Sequence, residues 1–178
     1  MPADDSGDGR ASSDWPADGR VQFLRPLGYV ESDPVVRRVG DRELFIGNLS
    51  AADRATHGRS FRFVLSVSSA ARPLTTHHYP LTDGPGNDWP AFAKAVDTAR
   101  TLYRRDGSLL VHCKAGVSRS STVIATALAA VERRTFREAL GLVQEARPAA
   151  VPHPALHELV VVYLASRSGS RRSPGRSR

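Results

Sequence analysis

Cysteine is almost absent from this chain, since Cys113 is the only one in 178 residues. A single cysteine excludes an internal disulfide and a zinc site built from several cysteines. Long apolar runs are also missing: the longest, from Ser120 to about Val131, is well short of the roughly eighteen residues that a bilayer-spanning helix needs. The acidic N-terminus has no basic stretch followed by an apolar one, so we expect no signal peptide and a cytoplasmic protein.

Lysine is scarce too, because Lys94 and Lys114 are the only two among 25 basic residues. The formal net charge of +7 is unevenly distributed: residues 1–20 carry five Asp against two Arg, and residues 167–178 carry five Arg and no acidic residue. Residues 21–166 hold 18 basic and 13 acidic residues. This mildly basic body suits an anionic substrate and does not require a nucleic acid partner.

Hydrophobic residues make up 40% of the chain and charged residues 24%, which is enough apolar material for one folded domain. Both ends have little to bury, so we expect an acidic disordered tail over residues 1–20 and an Arg/Ser-rich disordered tail over residues 167–178. The folded domain is therefore predicted over residues 21–166. The sequence carries no indication of the oligomeric state.

Strand and helix signals alternate within this domain. A hairpin is predicted around the Gly40-Asp41 turn, and Ser50 is predicted to cap a short helix that ends near Gly58. The other predicted strands are 61–67, 77–81 and 109–112, and the other predicted helices are 88–105, one from the loop after His112 to about Val131, 135–147 and 154–164. Strands interleaved with helices indicate a single α/β domain with a central, largely parallel sheet flanked by helices.

The segment Leu109–Ser121 carries the strongest chemical signal, because a short apolar strand is followed by a loop and a nearly all-apolar helix. Such a loop points backbone N–H groups at one spot, where the helix dipole adds positive charge and favours an oxyanion. Cys113, at the start of the loop, should have a lowered pKa and act as a nucleophile toward phosphorus. Arg119 closes the loop with a planar fork that can hold two phosphate oxygens. The predicted phosphate-binding residues are Lys114, Ala115, Gly116, Val117, Ser118 and Arg119.

The spacing between Cys113 and Arg119 is weak evidence by itself, because 23 residues of the chain are arginine and one of them could stand at this position by chance. The competing interpretation makes Cys113 a buried core thiol and Arg119 a charge on a helix surface. The preceding strand, Gly116 inside the loop and the hydroxyl of Ser120 directly after it favour the catalytic interpretation.

When a thiolate displaces an oxygen from a phosphate ester, a second group must protonate the oxygen that leaves. The predicted strand 77–81, the helix that follows and the strand 109–112 form a strand–helix–strand unit, which places both strands parallel with their carboxyl ends at one edge. Asp83 and Cys113 follow these strands closely, so they should face one cleft, and Asp83 is the predicted general acid. Asp88 is its competitor, but a position directly before Trp89-Pro90 favours a helix cap.

Residues 111–121 resemble the dual-specificity protein phosphatase motif His-Cys-x-x-Gly-x-Ser-Arg-Ser. Residues 44–48 resemble the opening strand of that family, and residues 79–83 resemble its acid-bearing strand end. Residues 147–154 resemble its Arg-Pro … Pro-Asn-Pro turn, with His153 in place of Asn. The resemblance covers about residues 35–165. It implies a protein tyrosine phosphatase-like fold in which Cys113 is the nucleophile, Arg119 the phosphate clamp and Asp83 the acid.

The resemblance also implies that Ser120 assists departure of the thiolate and that His112 supports the thiolate electrostatically. It implies hydrolysis of phosphotyrosine and of phosphoserine or phosphothreonine in proteins through a cysteinyl-phosphate, with a phosphoprotein as partner. The chain lacks the Asn-Arg-Tyr motif of the larger tyrosine-specific enzymes, which implies a shallow cleft. No metal or other cofactor is expected, because the loop and Arg119 supply the electrostatic stabilisation.

Three other functions remain open. A phosphoinositide or other non-protein phosphatase could use the same loop and Lys114, but Val117 stands where those enzymes carry a second Lys. A phosphopeptide-binding module would be expected to have lost Cys113, Arg119 or Asp83. A sulfurtransferase would not require Asp83.

The sequence has two histidine pairs, and the first has a spacing that can bind a metal. His153 and His157 lie four residues apart with no third ligand in sight, and capping or surface roles are favoured. His77 and His78 are predicted to belong to a strand near the cleft.

Overall fold

The computed structural model describes residues 32–53 and 57–169. The predicted N-terminal tail and residues 170–178 of the predicted C-terminal tail lie outside this part. The described strands are β1 (Val36–Arg38), β2 (Leu44–Gly47), β3 (Phe63–Ser66), β4 (His77–His78) and β5 (Leu109–His112). The α-helices are α1 (Trp89–Tyr103), α2 (Arg119–Glu132), α3 (Phe136–Ala146) and α4 (Pro154–Gly169), and a single 3₁₀ turn covers Leu49–Ala52.

The five described strands form one sheet in the order β1-β2-β5-β3-β4. Only the β1–β2 hairpin is antiparallel, and it closes at the predicted Gly40-Asp41 turn. The other neighbours, β2–β5, β5–β3 and β3–β4, are parallel. This confirms the prediction of an α/β domain with a largely parallel sheet. Because the strand β5 is central, the loop that follows it opens in the middle of the carboxyl edge.

Helix α2 is buried along most of its length, as its apolar sequence predicts. Its residues from Arg119 to Ala129 are all buried, with α1, α3 and α4 packed around it. An element that is apolar on every side needs such cover. The helix therefore holds the end of the predicted phosphate-binding segment within the core.

Several predicted boundaries differ from the structure. Asn48, not Ser50, caps the 3₁₀ turn, because its side-chain oxygen accepts from the N–H groups of Ala51 and Val35. That turn ends at Ala52, and residues 54–56 of the predicted helix lie outside the described part. Helix α4 continues to Gly169, into the predicted tail. Near the end of this helix, Arg167 bonds Asp97 of α1 and lies over the ring of Tyr163.

The strand β4 is shorter than predicted, with two residues in regular pairing. The chain nevertheless stays alongside β3 beyond it, since Tyr79 N–H donates to Ser66 and Leu81 N–H donates to Val67. Pro80 has no N–H and interrupts the regular ladder. This irregular extension carries the chain to the carboxyl edge of the sheet, where Asp83 follows.

Candidate active site

The loop between β5 and α2, here the phosphate loop (residues 113–119), turns its carbonyl groups outward. Each carbonyl from residue 114 to residue 118 accepts a hydrogen bond. The donors are Leu49 N–H to Lys114 (3.2 Å), the Arg147 side chain to Ala115 and Gly116 (3.3 and 3.4 Å), Val151 N–H and Ser121 Oγ to Val117 (2.9 and 2.6 Å), and the hydroxyls of Ser121 and Thr122 to Ser118 (2.8 and 2.7 Å).

This arrangement determines where the N–H groups of the phosphate loop point. In a trans peptide the carbonyl and the following N–H point in opposite directions. With the carbonyls directed outward, the N–H groups of residues 115–119 converge on the inside of the loop. Together with the N-terminus of α2 they form a cradle for an oxyanion.

Gly116 gives the loop its sharp turn. Its φ of +65° is left-handed, and a Cβ there would lie 2.8 Å from the carbonyl oxygen of Gly47. Both the backbone conformation and the close approach to β2 therefore require glycine.

Cys113 is buried at the base of the cradle. Its Sγ lies 3.3 Å from Oγ of Ser120, which is also fully buried. Burial by itself raises the pKa of the thiol, but the Ser120 hydroxyl, the charge of Arg119 and the N–H groups of Ser120 and Val117 together outweigh it and lower the pKa of Cys113 below its ordinary value. The site therefore favours the thiolate, which is the nucleophilic form.

Arg119 is almost fully buried and has one donor already engaged. Its Nη1 donates to the carbonyl of Leu81 at 3.1 Å. Its Nε is buried and has no partner among residues 32–53 and 57–169. A buried N–H without a partner carries a desolvation cost of about 1–3 kcal/mol, which a bound phosphate oxygen would relieve.

The bond from Arg119 to Leu81 ties the phosphate loop to the segment that carries the predicted acid. Asp83 is exposed and lies two residues after Leu81, in the loop 82–87, here the acid loop. Asp88 lies at the N-cap of α1, as predicted, but its side chain makes no cap hydrogen bond.

The acid loop is held by Asn87, a residue outside the predicted site. The Asn87 side-chain oxygen accepts from Thr82 N–H at 2.7 Å, and its amide donates to the carbonyls of Thr82 and Gly84, both at 2.9 Å. The sequence signal was an asparagine after Gly-Pro-Gly, since Asn commonly bonds nearby backbone in turns.

The turn before α4 connects the phosphate loop to the acid loop through His153. The His153 N–H donates to Oγ of Ser118 at 3.0 Å, and its Nδ1 accepts from Ala155 N–H at 3.1 Å, which caps α4. A Cβ on Gly84 would lie 4.0 Å from its Nε2, so the imidazole lies beside Gly84 of the acid loop. Because Nδ1 accepts, the proton of the neutral ring sits on Nε2.

Arg147 is a further residue whose contacts were missed. It is buried, and its guanidinium bonds the carbonyls of Ala115 and Gly116 from below the phosphate loop. It belongs to the Arg-Pro turn that the resemblance had already identified, but sequence spacing gives no sign of which loop a distant arginine reaches.

His112 does not bring positive charge to the site. It lies fully buried at the end of β5, and burial lowers its pKa to about 4. The imidazole is therefore neutral near pH 7, so any electrostatic support that His112 gives the thiolate comes from a neutral ring, while the positive charge near Cys113 comes from Arg119.

The other histidines have separate contacts. His157 packs its ring against Phe136, with ring centroids 5.3 Å apart, while His78 Nε2 lies 2.9 Å from the carbonyl of Ser68. Across residues 32–53 and 57–169, no group of three or more His, Cys, Asp or Glu side chains is arranged to hold a metal ion. None of the helices in this part is both long and apolar enough to span a membrane.

Comparison with known proteins assigns the chain to a family. The family described as "Dual specificity phosphatase, catalytic domain" matches residues 44–164. A MAP kinase phosphatase with leucine-rich repeats, protein 3, from Dictyostelium discoideum is 30% identical over 130 residues, which are 68% of this chain and 15% of that protein. Mouse dual specificity protein phosphatase 19 is 41% identical over 72 residues, which are 40% of this chain and 33% of that protein.

Solved structures show the same fold. A variant of human DUSP28 superposes with a TM-score of 0.67 at 26% identity, covering 77% of this chain and 99% of that one. A mouse dual specificity phosphatase crystallised with zinc tungstate gives a TM-score of 0.66 at 27% identity, covering 82% of this chain and 96% of that one. The chain spans about a third or less of the first curated relatives that it matches. On the match over residues 44–164, this chain belongs to the dual specificity phosphatase family.

Proposed function

We propose that this protein is a cysteine-dependent phosphatase that hydrolyses phosphotyrosine and phosphoserine or phosphothreonine in proteins. The observation that carries the proposal is the phosphate loop itself. The carbonyls of residues 114–118 all accept hydrogen bonds, which directs the N–H groups that follow them toward the cradle. The pKa of the Cys113 thiol is lowered, and the Nε of Arg119 is buried without a partner in the described part of the chain.

In the first step, the Cys113 thiolate attacks phosphorus in line with the leaving oxygen. The S–P bond forms while the P–O bond to the substrate breaks, and Asp83 donates a proton to the departing oxygen. The loop N–H groups and Arg119 bind the three remaining phosphate oxygens, over which negative charge is spread in the transition state. The products are the dephosphorylated hydroxyl side chain and a cysteinyl-phosphate.

In the second step, water attacks the phosphorus of the cysteinyl-phosphate. Asp83, now ionised, takes a proton from that water, and the S–P bond breaks to release inorganic phosphate. The Ser120 hydroxyl, 3.3 Å from Sγ, donates to the departing thiolate. No step of this sequence uses a metal ion or an external cofactor.

The relatives support the same chemistry. The names of the curated relatives describe dual specificity protein phosphatases, and one solved relative was crystallised with tungstate, an oxyanion shaped like phosphate. A thiol that must remain reduced to act as a nucleophile supports a location in the reducing cytoplasm.

The test is a panel of phosphotyrosine, phosphothreonine and phosphoinositide substrates, assayed in the presence of a metal chelator. We expect hydrolysis of both phosphopeptides and little release of phosphate from the lipid. Exclusive hydrolysis of the lipid would replace the protein-phosphatase proposal with its alternative.

The matched control is Cys113→Ser, which removes the nucleophile and leaves the cradle and Arg119 in place. We expect this variant to lose turnover completely and to bind tungstate as the wild type does, measured by isothermal calorimetry. Substantial turnover by Cys113→Ser would contradict the cysteine mechanism.

A further inference from the structure

The acid loop has a sequence that favours no single conformation. Asp83 is followed by Gly84, Pro85 and Gly86, and Gly86 has a φ of +89° with open space around its Cα. Glycines lose more conformational freedom than other residues when a loop is ordered. Ordering the backbone of this loop, which carries the exposed Asp83, therefore has an entropic cost that local hydrogen bonds must offset.

The Asn87 side chain supplies three bonds to this loop. Its oxygen accepts from Thr82 N–H, and its amide nitrogen donates to the carbonyls of Thr82 and Gly84, all at 2.7–2.9 Å. These two residues are the neighbours of Asp83 on either side. The backbone at Asp83 is therefore held from both sides by one side chain.

The other end of the loop is tied to the phosphate clamp. Arg119 Nη1 donates to the carbonyl of Leu81 at 3.1 Å, directly before Thr82. The loop is therefore tied at its start to the residue proposed to bind phosphate and is closed from within by the side chain of its last residue, Asn87. Asp83 lies between these two contacts.

The chemistry of this position requires an amide. The side chain must accept from one N–H and donate to two carbonyls, which a neutral amide does and a carboxylate does not. Aspartate has the same shape, but it would place negative charge against the two carbonyl oxygens. A helix cap is a separate role, because the N-cap position of α1 belongs to Asp88.

We propose that Asn87 is the positioning residue of the general acid: it holds the acid loop so that the carboxyl of Asp83 reaches the leaving oxygen. This inference rests on the proposed phosphatase function. The three bonds of the Asn87 side chain all go to the backbone of the acid loop. Its effect should therefore be confined to the step in which the leaving oxygen needs a proton.

The experiment measures kcat/KM for aryl phosphates whose leaving groups range from nitrophenol to phenol. We expect Asn87→Asp and Asn87→Ala to reduce kcat/KM about tenfold or more for phenyl phosphate and less than about threefold for nitrophenyl phosphate. Tungstate affinity should stay at the wild-type value, because the phosphate loop is intact. The neighbouring control, Asp88→Ala, should leave the dependence on the leaving group unchanged.

Equal losses for all leaving groups, or the same change in Asp88→Ala, would overturn the assignment of Asn87. Asn87→Asp nearly preserves side-chain volume, and its near-UV circular dichroism together with tungstate binding checks that the fold is retained.

The two proposals fail differently. If the wild type has no activity above Cys113→Ser, the phosphatase proposal fails; if it is active and the Asn87 variants keep the wild-type dependence, only the positioning role fails.

Discussion

The thiol of Cys113 is controlled by groups that lie within seven residues of it in sequence. Ser120 and the loop N–H groups belong to the segment that begins α2, and Arg119 lies beside them. Burial opposes ionisation of the thiol, so the direction of the pKa depends on these neighbours. The side chains of Ser120 and Arg119 can each be replaced separately.

Ser120→Ala should raise the pKa of the Cys113 thiol, because it removes the hydroxyl 3.3 Å from Sγ while burial remains. The acidic limb of kcat/KM should then shift to higher pH. The pH dependence of iodoacetamide alkylation measures the thiol pKa directly. Thr126→Ala removes another buried hydroxyl of α2, one that bonds the Thr122 carbonyl, and should leave the pKa of Cys113 unchanged. An unaltered pKa in Ser120→Ala would remove Ser120 from the control of the thiol.

The roles of Asp83 and Asp88 can be distinguished by comparing the variants in which each is replaced by asparagine. Asp83→Asn should slow alkyl phosphates most and activated aryl phosphates least, and it should flatten the pH limb on which the acid must stay protonated. Asp88→Asn should leave this dependence alone, since the Asp88 side chain makes no cap bond and asparagine is a capable cap residue. The assignment is reversed if Asp88→Asn shows the steeper dependence on the leaving group.

Among the elements, α3 is the one whose start is most clearly encoded locally. Thr135 and Glu138 form a complete capping box: Thr135 Oγ1 accepts from Glu138 N–H, and the Glu138 carboxylate accepts from Thr135 N–H. These bonds also lower the pKa of the Glu138 carboxyl. The helix packs on α2 and supplies no side chain to the site.

Thr135→Ala should lower the free energy of unfolding by about 1 kcal/mol, the usual value for a lost N-cap. Urea denaturation at pH 7 measures the change, and kcat/KM should remain near the wild-type value. Thr135→Ser keeps the hydroxyl and is the matched control. A change in stability of similar size in Thr135→Ser would show that the cap is not the cause.

At the scale of the whole molecule, Glu132 joins three elements. Its carboxylate accepts two bonds from Arg42 of the β1–β2 turn, both at 2.7 Å, one from Tyr103 at the end of α1 and one from Arg134. The bonds from Arg42 are the main cause that lowers the pKa of Glu132 to about 2. His112 in the core has its pKa lowered to about 4 by burial.

The domain should therefore lose stability in acid. Both groups have a folded-state pKa below the ordinary value, so the unfolded chain binds more protons and the free energy of unfolding falls as the pH falls. Protonation of His112 lowers the free energy of unfolding as the pH drops from about 6.5 toward 4. Protonation of Glu132 lowers it further as the pH drops from about 4.5 toward 2. Urea denaturation from pH 7 to pH 3 measures the decline.

Glu132→Gln isolates one contribution to this decline. It should lower the free energy of unfolding by about 2 kcal/mol at pH 7. The difference should be smaller near pH 3, because there the wild type has already lost part of the stabilisation that the ionised Glu132 carboxylate provides. Glu43→Gln is the control, because Glu43 pairs with Arg38 in an exposed bridge of little energetic value. A difference between Glu132→Gln and wild type that is independent of pH would contradict the role assigned to its charge.

Local sequence patterns were sufficient to predict much of the structure of this protein. The phosphate loop, the capping box of α3, the hairpin turn and the buried α2 are each encoded within about fifteen consecutive residues, because caps, turns and helix periodicity depend on near neighbours. The parallel sheet also followed from the alternation of strands and helices. The Cys113–Arg119 segment could therefore be proposed as the site from sequence alone.

Long-range contacts were decided only by the tertiary structure. Arg147 under the phosphate loop, His153 against Gly84 and Arg119 on Leu81 join residues 31 to 69 positions apart, and no periodic pattern in the chain specifies such pairs. The neutral state of His112 is likewise a property of the packed core, since a histidine in an isolated strand would keep its ordinary pKa. The sequence by itself determined which groups can do the chemistry; the folded chain decided their partners and their protonation, because burial and electrostatic neighbours arise only from packing.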